Sequence, residues 1–177
     1  MEPLILLDVD GVLNRLNHRP SRRARRTWIR TEGVVDGETY PLMLNPLHGA
    51  QLLALAEDTG AQLVWATTWE HDANREIAPR VGLPTLPVIR VDRANQHLGS
   101  SVPGVNRKTP YVASWVGRGR PFVWFDDQTT AADQAYLEER CGPCRLIYVD
   151  PWLGLDTLNI CDAADWLASV LAGGCEQ

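Results

Sequence analysis

Residues 4–14 of this chain read LILLDVDGVLN. The apolar run predicts a buried β-strand over residues 4–8, because a short apolar segment bounded by turn signals is typical of such a strand. Asp10 and Gly11 extend a strand poorly, so the chain turns there. Asp8 and Asp10 therefore lie at the carboxyl end of the strand, where open α/β sheets bind their ligands. Two carboxylates this close repel each other unless a cation or a proton intervenes. Taken alone, the segment also fits a strand followed by a plain acidic turn.

Short apolar runs alternate with amphipathic stretches along the rest of the chain. Further strands are predicted at 62–67, 86–91, 121–126 and 145–149. Helices are predicted from Asn45-Pro46 to Gly60, from Thr68 to Val81, from Thr109 to Gly117, from Thr129 or Thr130 to Arg140, and from Asp162 onward. Strands that alternate with helices indicate an α/β fold, and we expect a parallel sheet of about five strands with helices on both faces.

Residues 15–44 interrupt this alternation, because they hold no long helical period. Two short strands, Thr27–Thr31 and Glu38–Leu44, are predicted around residues 33–37. We expect a β-hairpin flap that overhangs the carboxyl end of the first strand. A chain of 177 residues fits one domain, so we predict a single domain over 1–177 with residues 15–44 as an arginine-rich insertion.

The flap region is strongly basic in a chain whose net charge is −5. Residues 15–30 hold seven of the 17 basic residues and no acid, so the rest of the chain carries ten basic and 22 acidic residues. A basic segment on an acidic body suits an anionic partner such as a phosphate chain. The candidate substrate-binding residues in it are Arg22, Arg23, Arg25 and Arg26. The alternative is a solvated loop whose arginines contact nothing specific.

The sequence shows no membrane or export signal. No apolar stretch is long enough to cross a bilayer. The first strand is not preceded by the basic leader of a signal peptide. We therefore expect a cytoplasmic protein without a membrane partner.

Other polar groups flank the later predicted strands. The second strand ends in Thr67-Thr68, the fourth ends in Asp126-Asp127, and the only lysine, Lys108, precedes the helix that leads into the fourth strand. Because the carboxyl ends of parallel strands share one edge of a sheet, we expect these groups to meet the acids of the first strand in one crevice. Taken singly, the two acids also fit an acidic loop, and the two threonines a helix cap.

This combination of groups suits phosphoryl transfer. Carboxylate oxygens favour a hard cation, and Mg²⁺ fits a site with few protein ligands and several waters. Asp8 can attack phosphorus and form an aspartyl-phosphate, while Lys108 and the Thr67 hydroxyl hold the phosphoryl oxygens. Asp10 can give a proton to the leaving oxygen and later activate water. The sequence therefore predicts catalytic roles for these four residues.

The order of the motifs resembles that of the haloacid dehalogenase-like (HAD) phosphohydrolase superfamily. The matching elements are Asp8-x-Asp10-Gly11, a strand that ends in Thr67, then Lys108, and then Asp126-Asp127. The resemblance implies a Rossmann-like sheet and Mg²⁺-dependent hydrolysis of phosphomonoesters. It also implies that Asp8 is the nucleophile and Asp10 the acid and base.

A set of metal ligands follows from the same resemblance. Mg²⁺ is expected on Asp8, on the Asp10 carbonyl and on one acid of the Asp126-Asp127 pair. We expect direct contact from Asp127, with Asp126 as its neighbour. Thr68 is expected to bind substrate.

The chain resembles a capless member of this superfamily, because the gaps between its motifs leave no room for a large cap domain. An open site suits a large substrate such as a nucleic-acid end or a phosphoprotein. Residues 66–70 (ATTWE) and 125–127 (FDD) are also similar to HAD domains associated with RNA repair and with polynucleotide-end phosphatases.

Three functions are therefore open at this stage. The leading hypothesis is a phosphatase for a nucleotide or polynucleotide-end phosphate, with Trp28 and Trp69 as candidates to stack a base; tryptophans in a chain of this size are more often core residues. The second is a small-metabolite phosphatase, for example for a sugar phosphate. The third is a non-catalytic module that binds phosphate or nucleic acid.

Overall fold

The computed structural model describes residues 2–17, 27–35, 37–91, 100 and 102–173. Its central strands are β1 (Leu4–Leu7), β4 (Gln62–Trp65), β5 (Phe122–Asp126) and β6 (Cys144–Tyr148). These four strands form a parallel sheet with the order β4-β1-β5-β6. Two further strands, β2 (Ile29–Val35) and β3 (Glu38–Leu44), form a separate antiparallel pair.

The central strand β1 explains why the sheet forms here. All four of its side chains are fully buried. Because successive residues of a strand point to opposite faces, Ile5 and Leu7 pack in one core cluster, and Leu4 and Leu6 pack in the other. Burial of each side chain of this size contributes about 1.5–3 kcal/mol. A continuous apolar run is what a strand with both faces covered requires.

Helices cover both faces of this sheet, as predicted. One face carries α1 (Leu47–Thr59), α2 (Ala78–Val81) and α5 (Thr157–Gly173). The other carries α3 (Thr109–Val116) and α4 (Ala131–Cys141). The prediction of an α/β fold with a Rossmann-like sheet is therefore confirmed. None of the described helices combines the length and the apolarity that a bilayer crossing requires.

The third predicted strand, residues 86–91, is reduced to one bridge. Val88 pairs with Trp65 at the outer edge of β4, so the sheet has four strands among the described residues. Pro87 accepts a hydrogen bond from the Trp65 amide. Proline has no N–H of its own and cannot continue a ladder, which explains the shorter element.

Helix α5 begins earlier than the predicted start at Asp162. The Asp156 side chain accepts a hydrogen bond from the Asn159 amide at 3.0 Å, and the Asn159 side chain accepts one from the Asp156 amide at 3.1 Å. This reciprocal pair satisfies amides that a helix start leaves without partners. The helix therefore begins at Thr157.

The predicted helix over residues 68–81 is divided. A π-helical segment, Ala73–Ile77, precedes α2. Pro79 lies in the first turn of α2, where its missing N–H and its ring oppose a regular α-helical hydrogen bond to the preceding turn. The wider turn of the π-helix accommodates this break.

The predicted hairpin is present, and its first strand is longer than the predicted range 27–31. The pairing of β2 with β3 runs from Ile29 opposite Leu44 to Val35 opposite Glu38, next to the turn. The Asn14 side-chain oxygen accepts a hydrogen bond from the Met43 amide at 2.8 Å. The hairpin is thus attached directly to the turn that follows β1, beside the two acids of that turn.

Gly49 in α1 offers a test of helix packing against α2. A Cβ at this position would lie 1.9 Å from the Val81 carbonyl oxygen, so the two helices would have to separate. We predict that Gly49→Ala destabilises the protein by about 1–3 kcal/mol or more, although alanine is favoured over glycine in a helix by about 1 kcal/mol. Urea unfolding measures the difference. The matched control is Gly173→Ala in α5, where a Cβ meets nothing within 4 Å; equal stabilities for the two variants would contradict the packing argument.

Candidate active site

Four segments of the chain meet at the carboxyl edge of the sheet. Asp8 and Asp10 follow β1, Thr67 and Thr68 follow β4, Lys108 directly precedes α3, and Asp126 and Asp127 lie at the end of β5. A cavity of about 320 Å³ at this edge is lined by Asp8, Asp10, Thr68 and Lys108. The structure therefore brings residues from three separate motifs into one crevice.

Lys108 lies between carboxylates from two neighbouring strands. Its Nζ donates to Asp8 Oδ2 at 2.5 Å and forms a second ion pair with Asp126 Oδ2. All three side chains are buried. Burial by itself lowers the pKa of Lys108, but the charges of Asp8 and Asp126 outweigh it and raise the pKa above its ordinary value. A charged ammonium group thus joins the ends of β1 and β5.

Asp127 supplies a third carboxylate at the same edge. Asp8, Asp126 and Asp127 each place one carboxylate oxygen within 4.8 Å of the others. Asp127 Oδ1 is buried and has no hydrogen-bond partner among the described residues. Burial and the nearby charge of Asp8 raise the pKa of Asp127 to about 6. Since one ammonium group faces three carboxylates, the cluster fits a hard divalent cation with oxygen ligands.

Gly11 leaves the space that Asp127 occupies. Its φ is +77°, a conformation that glycine adopts without strain. A Cβ at this position would lie 2.5 Å from the Asp127 carboxyl group. The glycine after the two acids therefore allows the backbone conformation of the turn. Its lack of a side chain also leaves room for the Asp127 carboxyl group beside Asp8 and Asp126.

Both carboxylate oxygens of Asp10 are held by side chains. Asn14 Nδ2 donates to Oδ1 and Trp69 Nε1 donates to Oδ2, each at 2.7 Å. Burial raises the pKa of Asp10. Sequence reasoning did not assign either donor to Asp10, although Asn14 lies within the opening motif, four residues after the acid. Trp69 is 4% exposed, so it presents no face on which a base could stack.

The two threonines after β4 differ in position. Thr68 lines the cavity. Thr67 is fully buried, and its Oγ1 accepts a hydrogen bond from the Trp69 amide at 3.3 Å. Thr68 therefore lies on the cavity wall, and Thr67 takes part in the turn that carries Trp69.

The segment before Lys108 is held by a buried acid of α4. Asp133 Oδ1 accepts hydrogen bonds from the Asn106 amide and from the Thr109 hydroxyl, both at 2.6 Å. Its Oδ2 accepts bonds from Thr130 at the start of α4. One side chain thus caps α4 and fixes the residues on either side of Lys108. Its place after Thr130 in a capping pattern was visible in the sequence, but its long-range contacts were not.

Four residues that sequence reasoning did not single out also line the cavity: Ser100, Asn106, Arg107 and Gln128. Arg107 adds a second cation next to Lys108. The predicted substrate-binding residues Arg22, Arg23, Arg25 and Arg26 lie outside the described residues. Arginine in such a site suits an anionic ligand, because its planar group binds phosphate oxygens in pairs.

Trp28, the second candidate for base stacking, has neighbours of its own. The Arg15 guanidinium lies 4.6 Å from the centre of its ring. The His48 ring meets it edge to face, with 5.1 Å between ring centres. Arg15 therefore occupies one face of this tryptophan.

Comparison with known proteins agrees with the motif order and the fold. Residues 4–160 match a family model described as "HAD domain in Swiss Army Knife RNA repair proteins". The match includes every motif residue from Asp8 to Asp127. No curated protein and no solved structure matches the chain. The matched span is most of the 177 residues, and it confirms the resemblance to the HAD superfamily and to its RNA-repair members. The chain belongs to the family of HAD domains found in Swiss Army Knife RNA repair proteins.

Proposed function

We propose that this protein is a Mg²⁺-dependent phosphatase that removes the phosphate from a nucleotide or from a polynucleotide end. Membership of a HAD family from RNA repair proteins supports phosphatase-type activity on a phosphorylated nucleic acid. The observation that carries the proposal is the buried ammonium group of Lys108 against the Asp8 carboxylate, on the wall of the cavity.

Asp8 is the nucleophile of the proposed reaction. Its Oδ1 accepts a hydrogen bond from the Val9 amide at 2.8 Å, and its Oδ2 accepts one from Lys108. An oxygen of Asp8 attacks phosphorus, the bond from phosphorus to the ester oxygen breaks, and an aspartyl-phosphate forms. The negative charge on the phosphoryl oxygens is offset by Lys108 and Arg107, and these oxygens are bound by the Thr68 hydroxyl.

Asp10 moves the protons of the proposed reaction. It gives a proton to the departing ester oxygen in the first step. In the second step it takes a proton from the water that attacks the aspartyl-phosphate, and inorganic phosphate leaves. Trp69 and Asn14 hold the carboxyl group in one orientation for both steps.

Mg²⁺ is the proposed cofactor, with Asp8, Asp127 and the Asp10 carbonyl as its protein ligands. Asp126 Oδ2 and Asp127 Oδ1 are both buried without a hydrogen bond in the described part of the chain, but Asp126 Oδ2 forms an ion pair with Lys108. We therefore assign direct contact to Asp127 and a supporting position to Asp126. When bound, Mg²⁺ would offset the repulsion between the anionic nucleophile and the anionic substrate.

A small-metabolite phosphatase, for example for a sugar phosphate, is the second candidate. A cavity of about 320 Å³ lies at the lower end of the range for small-molecule sites, which favours a compact ligand. A screen with Mg²⁺ across sugar phosphates, mononucleotides and phosphorylated oligonucleotides separates the two. The highest kcat/KM on an oligonucleotide supports the first candidate, and the highest kcat/KM on a sugar phosphate supports the second.

The central test replaces the nucleophile. Asp8→Asn removes the anionic oxygen while keeping the shape of the side chain, so we expect phosphate release with Mg²⁺ to fall by at least about 10³-fold. Phosphate release from 4-nitrophenyl phosphate and from a phosphorylated oligonucleotide measures this. The control is Asp165→Asn, an exposed acid of α5, which should leave the rate unchanged. If wild type and Asp8→Asn release phosphate equally, or neither releases any, the catalytic proposal fails and a binding module remains.

A thermal-unfolding experiment tests the cation site without relying on activity. We predict that Mg²⁺ raises the Tm of the wild type, since it binds only the folded cluster, and that Asp127→Asn loses this shift. In EDTA, Asp127→Asn should be at least as stable as the wild type, because one of three mutually repelling carboxylates is gone. Asp165→Asn with NaCl at matched ionic strength is the control. An equal Mg²⁺ shift in both proteins would contradict the assignment of Asp127.

Trp69→Phe tests the orientation of Asp10. It removes the indole N–H and keeps a buried ring, so proton donation to the leaving oxygen should weaken. We predict that kcat/KM falls about tenfold for an alkyl phosphate, which needs the proton, and little for 4-nitrophenyl phosphate, which does not. Trp65→Phe is the matched control, because Trp65 Nε1 donates at 2.8 Å to Asn74, away from the acids. Equal losses on both substrates would indicate a purely structural role for Trp69.

A further inference from the structure

A second cavity, of about 370 Å³, lies beside α3. Its walls are Val88, Ile89 and Arg90 on one side and Tyr111, Ser114 and Trp115 on the other. Tyr111 and Trp115 are four residues apart on the helix, so they share one face of it. The proposed reaction at Asp8 uses none of these residues.

The helix α3 connects the two cavities. Arg107 and Lys108, which line the first cavity, directly precede the first residue of α3. Trp115, which lines the second, lies near the end of the same helix. Trp115 lies seven residues after Lys108 and eight after Arg107, and a helix rises about 12 Å over eight residues. A strand of more than one nucleotide is needed to cover this distance. A strand with its terminal phosphate at Asp8 can therefore follow this helix.

The charge on this flank suits a polyanion. Between Gly82 and Phe125 the described residues include no aspartate and no glutamate. They include five basic residues: Arg90, Arg107, Lys108, Arg118 and Arg120. Two of the five are ion-paired, Lys108 with Asp8 and Asp126 and Arg120 with Glu2, so these two offer less positive charge to a ligand. The chain as a whole carries a net charge of −5, so this stretch of the sequence is more basic than the rest of the chain. Clustered positive charge attracts a phosphate backbone without reading its sequence.

Trp115 is not part of the core. Its side chain is 38% exposed, whereas Val112 and Val116 on the same helix are buried in the cluster below. Tyr111 packs partly on that cluster. An exposed tryptophan next to a tyrosine and an arginine forms a surface on which bases stack with little sequence preference.

We propose that the cavity between Arg90 and Trp115 is a binding site for single-stranded RNA, which holds the nucleotides next to the reacting phosphate. The identity of that phosphate rests on the proposed function. Trp115 and Tyr111 stack bases, and Arg90 contacts the backbone. A sugar phosphate or an aryl phosphate bound at Asp8 leaves this second cavity empty. The cavity therefore distinguishes polynucleotide substrates from small ones.

Fluorescence anisotropy with a labelled single-stranded oligoribonucleotide that lacks a terminal phosphate tests the site directly, because this probe cannot be hydrolysed. Trp115→Ala should weaken binding roughly tenfold. The matched control is Trp152→Ala, a tryptophan that is 61% exposed beyond β6 and should leave binding unchanged. No binding by the wild type, no loss in Trp115→Ala, or equal losses in both variants would overturn the proposal.

Two charge variants give an independent readout that does not depend on removing an aromatic ring. Arg90→Gln should reduce the slope of log Kd against log salt concentration by about one, while Arg145→Gln, an exposed arginine of β6 paired with Asp162, should not. Ser114→Glu, which places a negative charge in the cavity, should weaken binding, while Ser169→Glu on the exposed face of α5 should not. Unchanged binding in both Arg90→Gln and Ser114→Glu would overturn the proposal, and thermal unfolding confirms that each variant is folded.

Kinetics separate this proposal from the phosphatase proposal. Trp115→Ala should lower kcat/KM for a phosphorylated oligoribonucleotide and leave 4-nitrophenyl phosphate hydrolysis unchanged. Hydrolysis that depends on Asp8, together with RNA binding that ignores Trp115, would overturn the RNA site alone. RNA binding that depends on Trp115, together with no phosphate release, would overturn the phosphatase alone.

Discussion

The rest of the site depends on the buried ion pairs of Lys108 with Asp8 and Asp126. Burial of these ionisable groups is costly, and each is tolerated because of the others. Removal of one partner of a buried ion pair typically costs about 3–5 kcal/mol. The ammonium group therefore ties the ends of β1 and β5 to the start of α3. Asp133 completes this constraint, because it holds the residues on both sides of Lys108. Asp8, Lys108 and the start of α3 are consequently held together as one unit.

The charge balance of this unit explains what it can bind. One lysine faces the carboxylates of Asp8, Asp126 and Asp127, and one oxygen of Asp127 has no partner among the described residues. Such a cluster favours a further cation on one side, while Lys108 and Arg107 on the cavity wall favour an anion on the other. A phosphate ester with a divalent cation satisfies both requirements. The second cavity beside α3, with Arg90 on its wall, extends this preference for an anion away from the first cavity.

Sequence reasoning succeeded where one local signal decides the outcome. The apolar run before Asp8 predicted a buried strand of a parallel sheet, and the paired runs around residues 33–37 predicted the hairpin of β2 and β3. It was less accurate where two signals competed. Residues 86–91 are apolar, but Pro87 limits them to a single bridge, and the reciprocal Asp156–Asn159 pair starts α5 earlier than its apolar face suggests. The hydrogen bonds of Asp10 were not predicted, and one of their donors, Trp69, lies 59 positions away in the chain.

The sequence alone determined which edge of the sheet carries the candidate site and which residue types meet there, because parallel strands end on one side and their last residues are read directly from the chain. Tertiary packing decided the position and the partners of each of these residues. It placed Thr68 rather than Thr67 on the cavity, paired Asp126 with Lys108, and left Asp127 with an oxygen that finds no partner in the described structure. It also brought Tyr111 and Trp115 to the same cavity as Arg90. The physical reason is that these outcomes depend on distances between segments far apart in the chain, and those distances are set only when the core closes.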